Sequence, residues 1–227
     1  MKQRQLFYKV ILIETAMVHK AWIVQKMVVG ESDILVTLFL ANGRRVQAHA
    51  KSALKRDSKL RAHLEPHRVV EVLLTGNAFK PTLAECVAIS SPLTGQQRLY
   101  AEQYSMVLSA FGEAMESNDV VRLLESAFVK MKKNSELERS LHNQILHTLF
   151  SLAGVEIVLN ACVECGKIES GVWFYGAKNG GVTCDNCRME GDEELPAQLS
   201  PEDMSEILWK HGQFFAVKPL KNKHQVA

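Results

Sequence analysis

Three observations predict an α+β multidomain fold for this 227-residue chain. Five short β-branched runs with turn signals occupy residues 21–91, the hydrophobic period turns helical from residue 92, and two Cys-x2-Cys pairs sit near the C-terminal end. Together they give an N-terminal OB-type β-barrel followed by an α-helical bundle with an inserted four-cysteine zinc element.

The barrel is read strand by strand. Residues 21–29 and 33–41 are apolar and β-branched, and Asn42-Gly43 is a two-residue hairpin signal that pairs 44–50 back onto the second run. Leu60 and Leu64, four apart with no Gly or Pro between them, predict a short helix over 58–64 that Pro66 terminates. Strands resume over 67–74 and 79–89, around a turn at Thr75-Gly76-Asn77-Ala78. Three strands, a helix and two strands in about 70 residues is the order of a small OB-type barrel; an SH3-like barrel, the rival, would not place a helix there.

Helical spacing then takes over. Ser91-Pro92 reads as a cap with proline at the first helical position, and Leu99, Val107, Leu108, Phe111 and Met115 share a face. Ser117-Asn118-Asp119 interrupts that helix. A second covers 119–132 with Val121, Leu124, Phe128 and Met131, and a third starts at a Ser135/Glu138 capping box ahead of Leu141, Ile145, Leu149 and Leu152. A last helix opens at Ser200-Pro201-Glu202-Asp203 and carries Met204, Ile207 and Leu208. The expected division is an N-terminal extension 1–20, a barrel 21–91, a helical domain 92–160, a zinc element 161–190, and a final helix with a loose tail over 191–227.

Cys162-x2-Cys165 and Cys184-x2-Cys187, 18 residues apart, fit one tetrahedral structural zinc ion. Each knuckle brings two thiolates to one side of the metal. Gly166 permits a tight turn, and 172–175 with 180–183 read as the two strands of a ribbon between the pairs. Four protein ligands leave no open position for a reactive water. Dithiol chemistry and iron in the same site are the weaker alternatives. Cys86, among Ala84, Val87 and Ile89, reads as a core thiol.

The near-neutral net charge of +2 hides a segregation: residues 1–91 carry 14 Lys and Arg against 7 Asp and Glu, and residues 92–227 carry 13 against 18. Arg44, Arg45, Lys51, Lys55, Arg56, Lys59, Arg61 and Arg68 crowd one segment with only Asp57 and Glu65. Such a run on a barrel suits phosphate neutralisation along one groove, without sequence readout. His49, His63 and His67 in that segment read as face or core residues. Trp22 and Phe39 read as core, leaving Tyr8 and Phe79 as stacking candidates if exposed. No run nears the ~20 apolar residues of a membrane span. A brief signal-like start ends at Glu14, which predicts a cytoplasmic protein with Met17 as a second candidate start. GxSxG, HExxH, GxxxxGK[ST] and GxGxxG are all missing, and His142 and His147 stand five apart, so an enzyme is not expected.

The chain resembles the RecO family of bacterial recombination mediators. The stretches that match are Gly30-Glu31-Ser32-Asp33 with the strand to Phe39, then Gly43, Ala50-Lys51-Ser52-Ala53, Ser58-Lys59-Leu60 and Leu64-Glu65-Pro66. Leu159 to Gly166 and Gly180 to Cys187 look like that family's zinc element. The resemblance covers about 19–211. The first 18 residues have no counterpart, and His67 stands where an aromatic is expected. It implies a non-enzymatic, nucleoid-associated protein that binds single-stranded and also duplex DNA and anneals complementary strands. It further implies engagement of the acidic tail of single-stranded-DNA-binding protein and, with RecR, loading of RecA. No small-molecule substrate is implied. Isolated positives in the acidic half, Arg98, Arg122, Lys130, Lys132, Lys133 and Arg139, are the candidates for that tail. Two other readings stand beside it: a zinc-ribbon RNA-binding or transcription-associated adaptor, and a purely structural interaction module.

Overall fold

In the computed structural model, which describes residues 17–77, 79–93, 95–112, 115, 119–131 and 138–217, the chain divides after Gly95 into two units. The first holds β1 (Met17–Val29), β2 (Asp33–Leu40), β3 (Arg45–Ala50), β4 (Val69–Asn77) and β5 (Lys80–Ala88). These close a barrel in the order β1-β2-β3-β5-β4, with β4 returning to pair with β1 and β3–β5 as the parallel junction. That is the OB-type arrangement the element order predicts.

Period-two alternation fills the interior with Ala21, Ile23, Val36, Leu38, Ala48, Ala50, Val70, Val72 and Leu83. Trp22 and Phe39 face each other across the β1–β2 ladder, out of phase with that set, yet both are fully buried. The chain turns at Asn42-Gly43, but with three loop residues and not two: Leu40 N–H donates to Arg44 O at 2.8 Å, Gly43 takes φ +80, and the Arg44 amide donates to Asn42 Oδ1 at 3.2 Å.

Two further details of the barrel differ from the sequence expectation. β1 starts at Met17, so residues assigned to an extension pair with β4, from Met17↔Leu74 to Lys20↔Glu71. Residues 58–64 form successive turns in place of a helix, with Ser58 N–H donating to Lys55 O and His63 N–H to Leu60 O. Seven residues ahead of Pro66 give too few backbone bonds to offset helix nucleation, and the neighbouring like charges oppose it. Leu64 still packs fully into the core and Leu60 partly.

The second unit contains α1 (Gln96–Phe111), α2 (Val120–Met131), α3 (Glu138–Leu152), β6 (Trp173–Gly176), β7 (Gly181–Cys184), β8 (Glu193–Glu194) and α4 (Pro201–Val217). α3 packs on α2 and α4, and α1 packs on α3 and α4. α1 begins four residues later than the Ser91-Pro92 signal predicts, because Gly95 takes a left-handed φ of +52 immediately before it. Its buried face is Tyr100, Ala101, Tyr104, Val107, Leu108 and Phe111, which turns Leu99 to solvent at 52% exposure. Leu152, expected on the apolar face of α3, is likewise exposed.

The capping box of α4 forms with aspartate as the reciprocal partner. Ser200 N–H donates to Asp203 Oδ2 at 2.9 Å, and Asp203 N–H donates to Ser200 Oγ at 3.1 Å. Asn143 ties α3 to the start of α4, donating to Pro201 O at 2.8 Å and accepting from Ser205 Oγ at 2.7 Å. The predicted break at Ser117-Asn118, the Ser135 cap, the extension over 1–16 and the tail over 218–227 lie outside the described residues. Among the described residues no helix is long and apolar enough to cross a membrane.

Candidate metal centre and nucleic-acid interface

Two knuckles converge where the ribbon begins and ends. Gly166, at φ +72, lets its amide donate to Cys162 O at 2.8 Å, while Cys162 N–H donates to Lys167 O at 2.8 Å. β6 and β7 pair from Trp173↔Cys184 to Gly176↔Gly181, so Cys184 ends the strand and Cys187 follows in a turn whose amide returns to Cys184 O. The first knuckle is pressed against β7 by Val163 N–H donating to Val182 O at 2.9 Å. Gly181 is obligatory here, because a Cβ would lie 2.3 Å from Val158 O and 2.7 Å from Val163 Cγ1.

The four sulfurs of Cys162, Cys165, Cys184 and Cys187 all lie within 4.8 Å of one another, and Cys165 Sγ to Cys184 Sγ is 3.8 Å. A tetrahedral ion with metal–sulfur bonds of ~2.3 Å requires sulfurs about 3.8 Å apart; a disulfide requires ~2.05 Å. Donor chemistry and spacing therefore fit one four-thiolate ion. Electrostatics agree. Burial opposes ionisation of Cys162, but the amides of Cys165, Cys184 and Glu164 outweigh it and bring the thiol down to about 6. Cys187, hydrogen-bonded by the Cys184 and Cys165 thiols, is pushed up to about 12. Four crowded sulfurs cannot all ionise without a cation among them.

Sequence reasoning missed Asp192 and β8. The Asp192 carboxylate accepts from Thr183 Oγ1 at 3.2 Å and from Met189 N–H at 2.9 Å, closing the loop after the second knuckle. β8 then pairs with β6 through Glu193 and Glu194. Two acidic residues carry no strand signal. Cys86 is buried in the barrel and its thiol is raised to about 11 by that burial, against the opposing charge of Arg68, as a core residue should be.

The basic segment separates into two groups. Lys51, Lys55, Arg56, Lys59 and Arg61 are exposed on the connection between β3 and β4, which Asp33 and Ser32 pin to the β1–β2 loop through Ser52 N–H (2.7 Å) and Leu54 N–H (2.8 Å). Arg44 and Arg45 are exposed at the opposite end of β3, roughly 20 Å of strand away. Arg68 is half-buried and donates to Ser90 O at 2.6 Å. His63 Nδ1 accepts the Ala88 amide at 3.2 Å, His49 lies 3.8 Å from Asp33, and His67 sits beside Trp22 at a left-handed φ of +63. Of the three, His63 makes the direct bond within the barrel, to β5.

In the helical unit, Arg98 pairs with Glu102, Arg122 with Asp119 and Arg139 with Glu202. Lys130 is exposed in the last turn of α2, and Lys132 and Lys133 lie outside the described residues. Beside Arg139, a groove of about 680 Å³ opens between α3 and α4, lined by Ser140, Asn143, His147, Met204 and Leu208 among others.

The chain is 30% identical over 175 residues to the DNA repair protein RecO of Dehalococcoides mccartyi, covering 74% of this chain and 69% of the relative. The chain belongs to the RecO family. It is also 27% identical over 177 residues to the RecO of Bifidobacterium animalis subsp. lactis, covering 75% of this chain and 73% of that protein. A third RecO, from Alkaliphilus metalliredigens, is 30% identical over 164 residues, covering 70% and 66%. No family model matches the chain. RecO membership gives a DNA repair role to a barrel, a helical bundle and a four-cysteine cluster.

Proposed function

We propose that this RecO acts without catalysis as a recombination mediator in the bacterial cytoplasm, at the nucleoid. Single-stranded DNA, and duplex DNA as well, is held by its phosphates. Complementary strands coated by single-stranded-DNA-binding protein are brought together and annealed. With RecR, the protein then promotes loading of RecA.

The observation that carries this reading is the exposed connection from Lys51 to Arg61. Among the described residues no ion pair neutralises Lys55, Arg56, Lys59 or Arg61, so their charge remains available to a polyanion. Contacts to phosphate lower the repulsion between two strands while leaving the bases free to pair, which is what annealing requires. Zinc in the four-cysteine site would join the two knuckles of the ribbon to each other and takes no part in a reaction.

The groove beside Arg139 suits an acidic tail with apolar side chains, since Met204 and Leu208 supply an apolar wall. Arg139 would exchange Glu202 for the tail carboxylates. The test is the annealing rate of complementary strands pre-coated with single-stranded-DNA-binding protein, with and without this chain. Acceleration is expected. Unchanged rates from protein with its metal site intact would overturn the mediator reading.

A further inference from the structure

The turn between β4 and β5 carries Phe79 at its tip, 95% exposed. A single exposed apolar ring is common on a protein surface; what singles this one out is its setting at the end of the hairpin. Phe79 and Lys80 are tied to the end of β4 through the backbone. Asn77 Oδ1 accepts the amides of both Phe79 (3.0 Å) and Lys80 (2.9 Å), and Gly76 takes φ +89 where a Cβ would stand 2.9 Å from Lys80 O.

Its surroundings are cationic. Lys80 is exposed next to it, and the hairpin root forms a hollow of about 140 Å³ with the β2–β3 turn, lined by His19, Arg44, Thr75, Asn77 and Pro81 among others. Among the described residues lining that hollow, none is acidic. In five-stranded barrels of this type the β4–β5 loop flanks the surface used for oligonucleotides. This is also the end of β3 where Arg44 and Arg45 stand apart from the larger basic group.

We propose that Phe79 is a stacking platform for one unpaired base of single-stranded DNA, with Arg44 and Lys80 holding the phosphates beside that base. The proposal rests on the single-strand binding reading above and adds a subsite to it. One base is anchored at this end of the barrel. The strand running toward Lys51–Arg61 is held by phosphates alone, its bases turned outward for pairing.

The experiment uses the full chain with an oligothymidine and an abasic strand of the same length, in the wild type, Phe79→Ala and Phe79→Trp. Phe79→Ala is expected to weaken oligothymidine binding by roughly fivefold or more and to leave the abasic strand and the salt slope unchanged. Phe79→Trp is expected to restore the affinity, and its added surface indole should be quenched by oligothymidine but not by the abasic strand. Equal losses on both strands, or undiminished oligothymidine binding by Phe79→Ala, would overturn the stacking role. If the wild type binds neither strand, the single-strand reading fails and takes this subsite with it; if it binds both equally, only the stacking role fails.

Discussion

The Ser52 backbone N–H donates to the Asp33 carboxylate at 2.7 Å, and Ser52 takes a left-handed φ of +54 to do so. A non-glycine residue in that region costs about 1–2 kcal/mol, and the charge-assisted bond holds it there. The same bond is the main cause of a lowered Asp33 pKa, aided by Ser32 and His49 and opposed by burial. Because the folded value lies below the ordinary carboxylate range, the contribution is present above that range. It is lost as pH falls through the depressed value.

Two variants separate the strain from the bond. Ser52→Gly keeps the amide and removes the backbone cost, so it should be as stable as wild type or up to ~1 kcal/mol more stable in urea unfolding. Asp33→Ala should lower the urea midpoint. It should also weaken single-strand binding without removing a cation, because Lys51 and Lys55 lose their anchor. Unaltered DNA affinity in Asp33→Ala would show that the connection needs no such anchor.

Charge reversal tests the phosphate contacts directly. Lys51→Glu, Lys55→Glu and Arg56→Glu together should weaken single-strand binding and reduce the slope of log affinity against log salt by about 2, at ~0.7 per phosphate contact. All three side chains are exposed and leave the barrel core untouched. Titrations at several salt concentrations, with circular dichroism as a folding check, measure both quantities. An unchanged slope would remove these residues from the interface.

Metal removal should act on one unit only. Purified protein is expected to hold one zinc ion per chain by elemental analysis, and a strong chelator should release it. Trp173 sits opposite Cys184 in the ribbon, so its emission should shift as β6 and β7 separate. Thermal unfolding of the helical unit should move down, with the barrel signal retained. Cys187→Ser should lose the ion more readily than wild type. Full zinc retention in Cys187→Ser would argue against a four-thiolate site.

How far the sequence reaches depends on the kind of signal. β2 and β3 are legible because Asn42-Gly43 marks the turn and the inward residues alternate strictly, although the loop takes one residue more than that pair predicts. The metal cluster is legible because thiolate pairs at knuckle spacing have few other uses. The turns over 58–64 are not, since a leucine pair four apart is satisfied equally by a helix and by two turns that bury Leu60 and Leu64. Leu99 fails for a related reason: the aromatic residues Tyr100 and Tyr104 dominate the packing and rotate α1 by a residue. β8 has no local signature at all, because Glu193 and Glu194 are strand residues only through their pairing with β6. Arg68 resembles its basic neighbours in sequence, and only the position of Ser90 turns it toward a backbone carbonyl.

A buried histidine predicts the acid sensitivity of the helical unit. His142 is 1% exposed, stacked on Tyr100 at 3.8 Å between ring centroids, with Nδ1 2.9 Å from the Tyr104 hydroxyl. Burial, with a smaller contribution from Arg139, pushes its pKa down from 6.5 to about 3. Between those two values the unfolded chain binds a proton that the native imidazole refuses, so stability is full above about pH 6.5 and falls as the pH is lowered toward 3. The slope approaches ~1.4 kcal/mol per pH unit, or about 2 kcal/mol by pH 5. His211, also buried and lowered mainly by desolvation, adds in the same direction. His142→Gln can still hydrogen-bond Tyr104 but cannot titrate. It should be less stable at neutral pH and lose less on acidification, leaving the smaller dependence due to His211 and the carboxylates. Urea midpoints measured from pH 7.5 down to pH 5 decide the matter, and parallel pH profiles for the two proteins would mean that His142 titrates alike in the folded and unfolded states.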